Sequence, residues 1–266
     1  MSHGAGYAYD GVPIDKSNAH VNFEKINSGD NYSTRNKVGK THHANKVELI
    51  GQVTSDVHPK YVIRDGKEVM TLCYFYLKTD SYFTDRFGDE KVRSEVHKVV
   101  SFGKSATYVA NKVSKGSFVS VDGEIKTNRW QNNDGQPRVN RDIKLNKINV
   151  FYELNGRDLN KVILVGEVTE DPVIIKKSTN IASFYIKTIV PSRKVREKPL
   201  EPIHYKIEVH KIVAFDVSAE YIEKNVKKGD ILSIEGEISS NSWISKSNGE
   251  KRKTKDIRVN IVNKVL

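Results

Sequence analysis

One cysteine in 266 residues, Cys73, leaves this chain with no internal disulfide and no CxxC metal or redox motif. Cys73 sits in Leu72-Cys-Tyr-Phe-Tyr-Leu77, which reads as a strand with a small buried thiol. No apolar run reaches the roughly 18 residues a membrane-crossing helix needs. No apolar segment follows a basic start, and Asp10, Asp15, Glu24 and Asp30 argue against an organelle transit peptide. An intracellular, non-secreted protein is therefore expected, its compartment left open. Catalytic motifs are missing as well: there is no Gly-x-Ser-x-Gly, His-Glu-x-x-His or Walker string. Val38-Gly-Lys-Thr41 resembles a phosphate loop, but Thr34 stands where its first glycine belongs. His42-His43 lacks a neighbouring Cys or carboxylate cluster and reads as solvated linker. A non-enzyme without metal or cofactor is the expectation. Acid is also scarce, with 33 Asp and Glu against 44 Lys and Arg, a net charge of +11 and a pI near 9.4. Such a surplus attracts polyanions by neutralising phosphates and releasing their counterions. No basic amphipathic helix is visible, so a membrane surface is not favoured.

What the chain has in plenty is itself. Val121-Asp-Gly-Glu-Ile-Lys-Thr-Asn-Arg-Trp130 returns as Ile234-Glu-Gly-Glu-Ile-Ser-Ser-Asn-Ser-Trp243. Asn45-Lys-Val-Glu-Leu-Ile-Gly51 returns as Asn160-Lys-Val-Ile-Leu-Val-Gly166. His97-Lys-Val-Val100 matches His210-Lys-Ile-Val213, and Asp142-Ile-Lys-Leu-Asn146 matches Asp256-Ile-Arg-Val-Asn260. Four anchors in one order, at nearly one offset, mark a duplicated domain, because solenoid units repeat every ~20–50 residues. Residues 1–44, rich in Gly, Ser, Asn and His, read as a flexible tail. The first domain is placed at 45–154 and the second at 155–266.

In the first copy, period-two alternation marks strands from Val47 to Val53, Val69 to Leu77, Val96 to Phe102, Phe118 to Lys126 and Val139 to Val150. Between the third and fourth, Ala106, Val109, Ala110 and Val113 fall at helical spacing, with Lys115-Gly116 expected to cap the helix. The second copy repeats this order with strands at Val162–Val168, Ile181–Thr188, Tyr205–Val213, Ile231–Ile238 and Lys255–Val262. Its helix is expected over Asp216 to Val226, capped by the Asp216 side chain. Turns are expected at Asn132-Asn-Asp-Gly135 and Asn248-Gly249. Five strands with one helix after the third is the order of an oligonucleotide-binding (OB) barrel. A sandwich would need about seven strands and no helix. The fold class is therefore all-β with one short helix per domain: two tandem five-stranded OB-fold barrels.

These strings resemble the single-stranded DNA-binding protein family of bacteria and mitochondria. The likeness is carried by Asn45-Lys-Val-x-Leu-x-Gly51, Glu95-x-His-x-Val-Val-x-Phe-Gly-Lys104, Lys115-Gly-Ser-x-Val-x-Val-x-Gly-Glu124, Arg129-Trp130 and Asp134-Gly-Gln-x-Arg138, with their second-copy counterparts. The resemblance implies aromatic side chains that stack on unpaired bases. Tyr82, Phe102 and Trp130 match such positions in the first copy, and Phe215 and Trp243 in the second. The family's Trp-His pair is Val96-His97 and Val209-His210 here, so that tryptophan is missing twice. His97 and His210, set within apolar alternation, read as structural. The chain stops at Lys264-Val-Leu266, without the acidic C-terminal tip by which the family recruits replication and repair proteins. The resemblance further implies four OB folds, reached here as a homodimer.

Phosphate contacts are expected from Lys104, Arg129 and Arg138, and from Lys251, Arg252 and Lys253 in the last hairpin. Lys78, Lys98 and Arg141 are further basic candidates. The expected function is non-catalytic, largely sequence-independent coating of single-stranded DNA in replication, recombination or repair. An RNA-binding protein of a processing complex, or a structural OB-fold subunit of a larger assembly, is the alternative. Binding groups gather in the first copy, so unequal work by two similar barrels is anticipated.

Overall fold

The computed structural model describes residues 43–85, 87–131, 137–151, 157–191, 205–244 and 251–265. The turns expected at 132–135 and 248–249, and the tail up to residue 42, lie outside the described residues. Two compact units divide the chain. The larger holds residues 43–240 and 255–266; the described part of the smaller is 241–244 and 251–254.

The elements run β1 (Ala44–Val53), β2 (His58–Arg64), β3 (Lys67–Thr84), β4 (Glu90–Phe102), α1 (Lys104–Lys112), β5 (Phe118–Gln131) and β6 (Pro137–Phe151). The order then repeats as β7 (Leu159–Val168), β8 (Val173–Ile175), β9 (Ile181–Pro191), β10 (Tyr205–Phe215), α2 (Asp216–Asn225), β11 (Ile231–Ile244) and β12 (Lys251–Lys264). In the first repeat β1 pairs with both β3 and β5, β3 with β4, β4 in parallel with β6, and β6 with β5. That closes a five-stranded ring, β1–β3–β4–β6–β5. The second ring, β7–β9–β10–β12–β11, closes the same way.

Each repeat adds a strand that the sequence reading did not anticipate. β2 and β8 lie outside the rings, on the free edges of β3 and β9. β2 buries no side chain fully, so it carries no alternating signature. It is made by the turn Asp65-Gly66, whose φ values of 50° and 70° suit a two-residue hairpin.

The cores follow the alternation. On β3, Cys73, Phe75, Leu77 and Thr79 point inward; on β9, Ala182, Phe184, Ile186 and Thr188 do. Ala106 and Val109 of α1, and Ala219 and Ile222 of α2, are buried in the core. Two expected caps are corrected. α1 ends at Lys112, and Gly116 instead turns the chain into β5 at φ 92°, its N–H donating to the Val53 carbonyl at 2.8 Å. Asp216 makes no capping hydrogen bond; it begins α2 at φ 47°, where Gly103 holds φ 56° in the first repeat.

The repeated Gly51 and Gly166 mark where each first strand passes its neighbour at close range. A Cβ would lie 2.0 Å from the Lys78 carbonyl oxygen at Gly51 and 2.6 Å from that of Lys187 at Gly166. The repeated asparagines are equally placed. Asn45 bonds both backbone groups of Ile125 at 2.9 and 3.0 Å, and Asn160 those of Ile238 at 2.8 and 3.1 Å.

The rings are joined edge to edge. β1 runs antiparallel to β7 from Ala44↔Val165 to Ile50↔Leu159, with Val47 opposite its own counterpart Val162. The duplication is thus related by a local two-fold axis through that pair. The glutamates of the third barrel strands obey it. Glu95 accepts the Ser240 N–H at 2.7 Å, and Glu208 accepts the Thr127 N–H at 2.9 Å.

Candidate nucleic-acid interface

Because alternate residues of β3 and β4 fill the core, the residues between them form one outward surface. On β3 these are Tyr74, Tyr76, Lys78, Asp80 and Tyr82; on β4 they include Val92, Ser94, Val96, Lys98 and Phe102. Tyr82 is 75% exposed and Phe102 42% exposed. Tyr82 faces Val92 and Phe102 faces Leu72, so the two aromatics stand some ten residues apart, roughly 30 Å along the ribbon. Between them lies a chain of rings. His58 stacks on Tyr74 at 4.8 Å, Tyr76 meets Tyr74 edge to face at 6.1 Å, and the Lys98 ammonium lies 4.5 Å from the Tyr74 ring centre. The Lys126 ammonium lies 5.8 Å from the Phe102 ring.

The same surface is threaded with carboxylates and amides. Lys98 lies 3.6 Å from Asp142, which also accepts Asn128 and Asn140 amides at 2.7 Å each. Burial raises the Asp142 carboxyl pKa, although Lys98 and Lys255 pull it down. Lys78 pairs with Asp80 at 2.8 Å, and Lys144 with Glu124. The more exposed Lys78–Asp80 pair contributes little to stability, ~0–1 kcal/mol.

The second barrel repeats the frame and alters its covering. Lys211 and Asp256 pair at 3.1 Å, as Lys98 and Asp142 do. In place of Tyr74 and Tyr76 stand Ser183 and Tyr185. Burial and the nearby Asp256 push the Tyr185 phenol up, with Arg141 of the first repeat acting against them. Val209 is 4% exposed where its counterpart Val96 is 41% exposed. Phe215 is half-buried under the Arg258 guanidinium, 4.9 Å from its ring centre.

Both histidines are structural, as anticipated. Nε2 of His97 is 2.9 Å from the Thr79 hydroxyl, and that of His210 is 2.9 Å from the Thr188 hydroxyl. Burial first, then Lys255 for His97 and Arg141 for His210, lowers both pKa values to about 3. They are neutral near pH 7. His43, the second of the tail pair, accepts the Ile189 N–H at 3.2 Å.

The sequence profile of the Single-strand binding protein family matches residues 44–151 and again 159–265. The chain belongs to that family. Its fold is also that of solved family members. The wild-type single-stranded DNA binding protein of Thermus aquaticus aligns with a TM-score of 0.65 and 20% identity over 85% of this chain and 94% of that one. A deletion mutant of the same protein aligns at 0.64 and 21% identity, covering 84% and 95%. The two rings are tandem OB barrels.

Against that family pattern, the anticipated binding residues sort as follows. Tyr82, Phe102, Lys104, Arg129 and Lys253 are exposed, and Phe215 is half-buried. Trp130 and Arg138 lie directly opposite each other on β5 and β6. Trp243, Lys251 and Arg252 lie in β11 and β12. The side chains of Trp130, Arg138, Trp243, Lys251 and Arg252 lie outside the described residues. Arg141, a sequence candidate for phosphate, is turned inward: it donates to the Lys255 carbonyl at 3.0 Å, and burial lowers its pKa. Sequence reading did not single out Tyr74 and Tyr76, which the fold sets on the outward face of β3. Their signal was present in Leu72-Cys-Tyr-Phe-Tyr-Leu77, where Cys73, Phe75 and Leu77 take the inside and so send both tyrosines out.

Proposed function

We propose that this family member coats single-stranded DNA without reading its sequence and performs no chemistry on it. The observation that carries the reading is the outward face of β3 and β4, where exposed Tyr76, Tyr82 and Phe102 alternate with lysines in a chain of charge +11. Each stacked base contributes about 1–3 kcal/mol whatever its identity, because every base has a π-face. Lysines and arginines track the phosphates. Two copies of the chain presenting four barrels complete the proposed assembly.

Anisotropy titration of a labelled oligothymidylate at several salt concentrations tests the reading. Affinity is expected to fall by about 0.7 log units per log unit of salt for each phosphate neutralised. Affinity independent of salt, or no preference for the single strand over the duplex, would sink it. Solution mass measurement tests the dimer separately.

A further inference from the structure

We propose that Tyr76 takes a base directly and replaces, one strand over, the tryptophan that the Trp-His position lacks here. The proposal rests on the single-strand reading above. Val96 occupies the tryptophan position of β4 and offers no ring. In the register of the ribbon Val96 faces Lys78, and Tyr76 faces Lys98, so Tyr76 and Val96 are diagonal neighbours on one face. Diagonal neighbours stand within reach of an aromatic side chain. A base laid over Val96 therefore meets the Tyr76 ring.

The ring is also prepared for the task. Its backbone is held from the side opposite β4: the Tyr76 N–H donates to Ser55 Oγ at 3.1 Å, and its carbonyl accepts the Thr54 N–H at 2.9 Å. Its edge-to-face contact with Tyr74, itself stacked on His58 and approached by Lys98, limits how the side chain can turn. Yet 37% of the residue stays exposed. A ring fixed on a rigid strand loses little freedom when a base arrives. The position also divides the interval between Tyr82 and Phe102, which no other exposed ring of β3 or β4 fills among the described residues. Tyr185, the counterpart on β9, is half-buried.

Three chains are compared by anisotropy on oligothymidylate: wild type, Tyr76→Leu and Tyr76→Phe. Loss of one stacked base predicts about a 5- to 140-fold weaker Tyr76→Leu. Tyr76→Phe, which keeps the ring, is expected within about two-fold of wild type, since stacking needs only the π-face. Tyr76→Leu binding as tightly as wild type overturns the site while leaving the function intact. A wild type that does not bind the strand at all overturns both. Cross-linking the wild type to an oligonucleotide carrying 5-iododeoxyuridine decides the case if Tyr76→Leu fails to fold. Adducts on Tyr76 support the site, and adducts on other aromatics without Tyr76 overturn it.

Discussion

The two barrels share a skeleton and differ in skin. Gly51 and Gly166 do the same job, and Asn45 and Asn160 and the buried pairs Thr79–His97 and Thr188–His210 do theirs with nearly the same distances. The outward faces diverge. The first carries Tyr74, Tyr76, Tyr82 and Phe102 around an exposed Val96; the second carries Ser183, a half-buried Tyr185 and a covered Val209. Packing constrains the inside, because closely packed interiors resist even a methylene of change. The outside is free to be rebuilt, and here the joining of the two rings has consumed part of it. Arg141 reaches from the first repeat to the Lys255 carbonyl of the second, among charges that also act on Tyr185. The junction draws on both faces, since the Lys255 ammonium of the second repeat donates in turn to the Val96 carbonyl of the first.

The largest expected effect tests that division of labour. The double variant Tyr82→Ala/Phe102→Ala removes two candidate platforms and is expected to weaken oligothymidylate binding by about 2–6 kcal/mol. Phe215→Ala is expected to cost less than 1 kcal/mol of binding, its ring being already engaged by Arg258. Equal losses, measured by titration, would break the asymmetry.

The next effect tests the shared skeleton. Both histidines are held near a pKa of 3 in the folded chain, against about 6.5 when unfolded. Above pH 6.5 neither state binds the proton, and stability is unaffected. Below it the unfolded chain protonates first, so stability falls progressively down to about pH 3. By pH 5 the loss is about 2 kcal/mol per histidine. Glu208, whose carboxyl burial pushes up, opposes this in the acid range. Urea unfolding at pH 7 and pH 5 should show His97→Gln and His210→Gln each removing a similar share of the pH dependence. A pH-independent wild type contradicts the account.

The smallest effect concerns the left-handed residue that begins α2. Asp216 holds φ 47° where the first repeat uses Gly103. Asp216→Gly is expected to stabilise the protein by roughly 0.4–1 kcal/mol, and Gly103→Asp to do the reverse. Calorimetric melting reads both, and a drop in Tm for Asp216→Gly would show that the aspartate has a role of its own.

Much of the fold could be read directly, and particular residues show where reading stopped. Alternation located the ring strands, and helical spacing of Ala106 and Val109 located α1, because both patterns are local consequences of one buried face. His97 and His210 announced themselves as core by their apolar neighbours. β2 did not, since an edge ribbon with no fully buried side chain leaves no period. The glycine after α1 was misassigned because a positive φ serves a helix cap and a strand-entry turn equally well. Tyr74 and Tyr76 were visible as letters, but calling them surface required knowing that Phe75 faces the core.

By itself the sequence determined the duplication, the order of strands around each helix, the basic character and the family, because these rest on local patterning and composition. Only the folded chain shows that β1 and β7 pair about Val47 and Val162, that Glu95 and Glu208 cross between repeats, and that Tyr76 is exposed while Tyr185 is half-buried. Those outcomes depend on contacts between residues some 80 to 145 positions apart, and no local pattern records which distant partner will cover a given face.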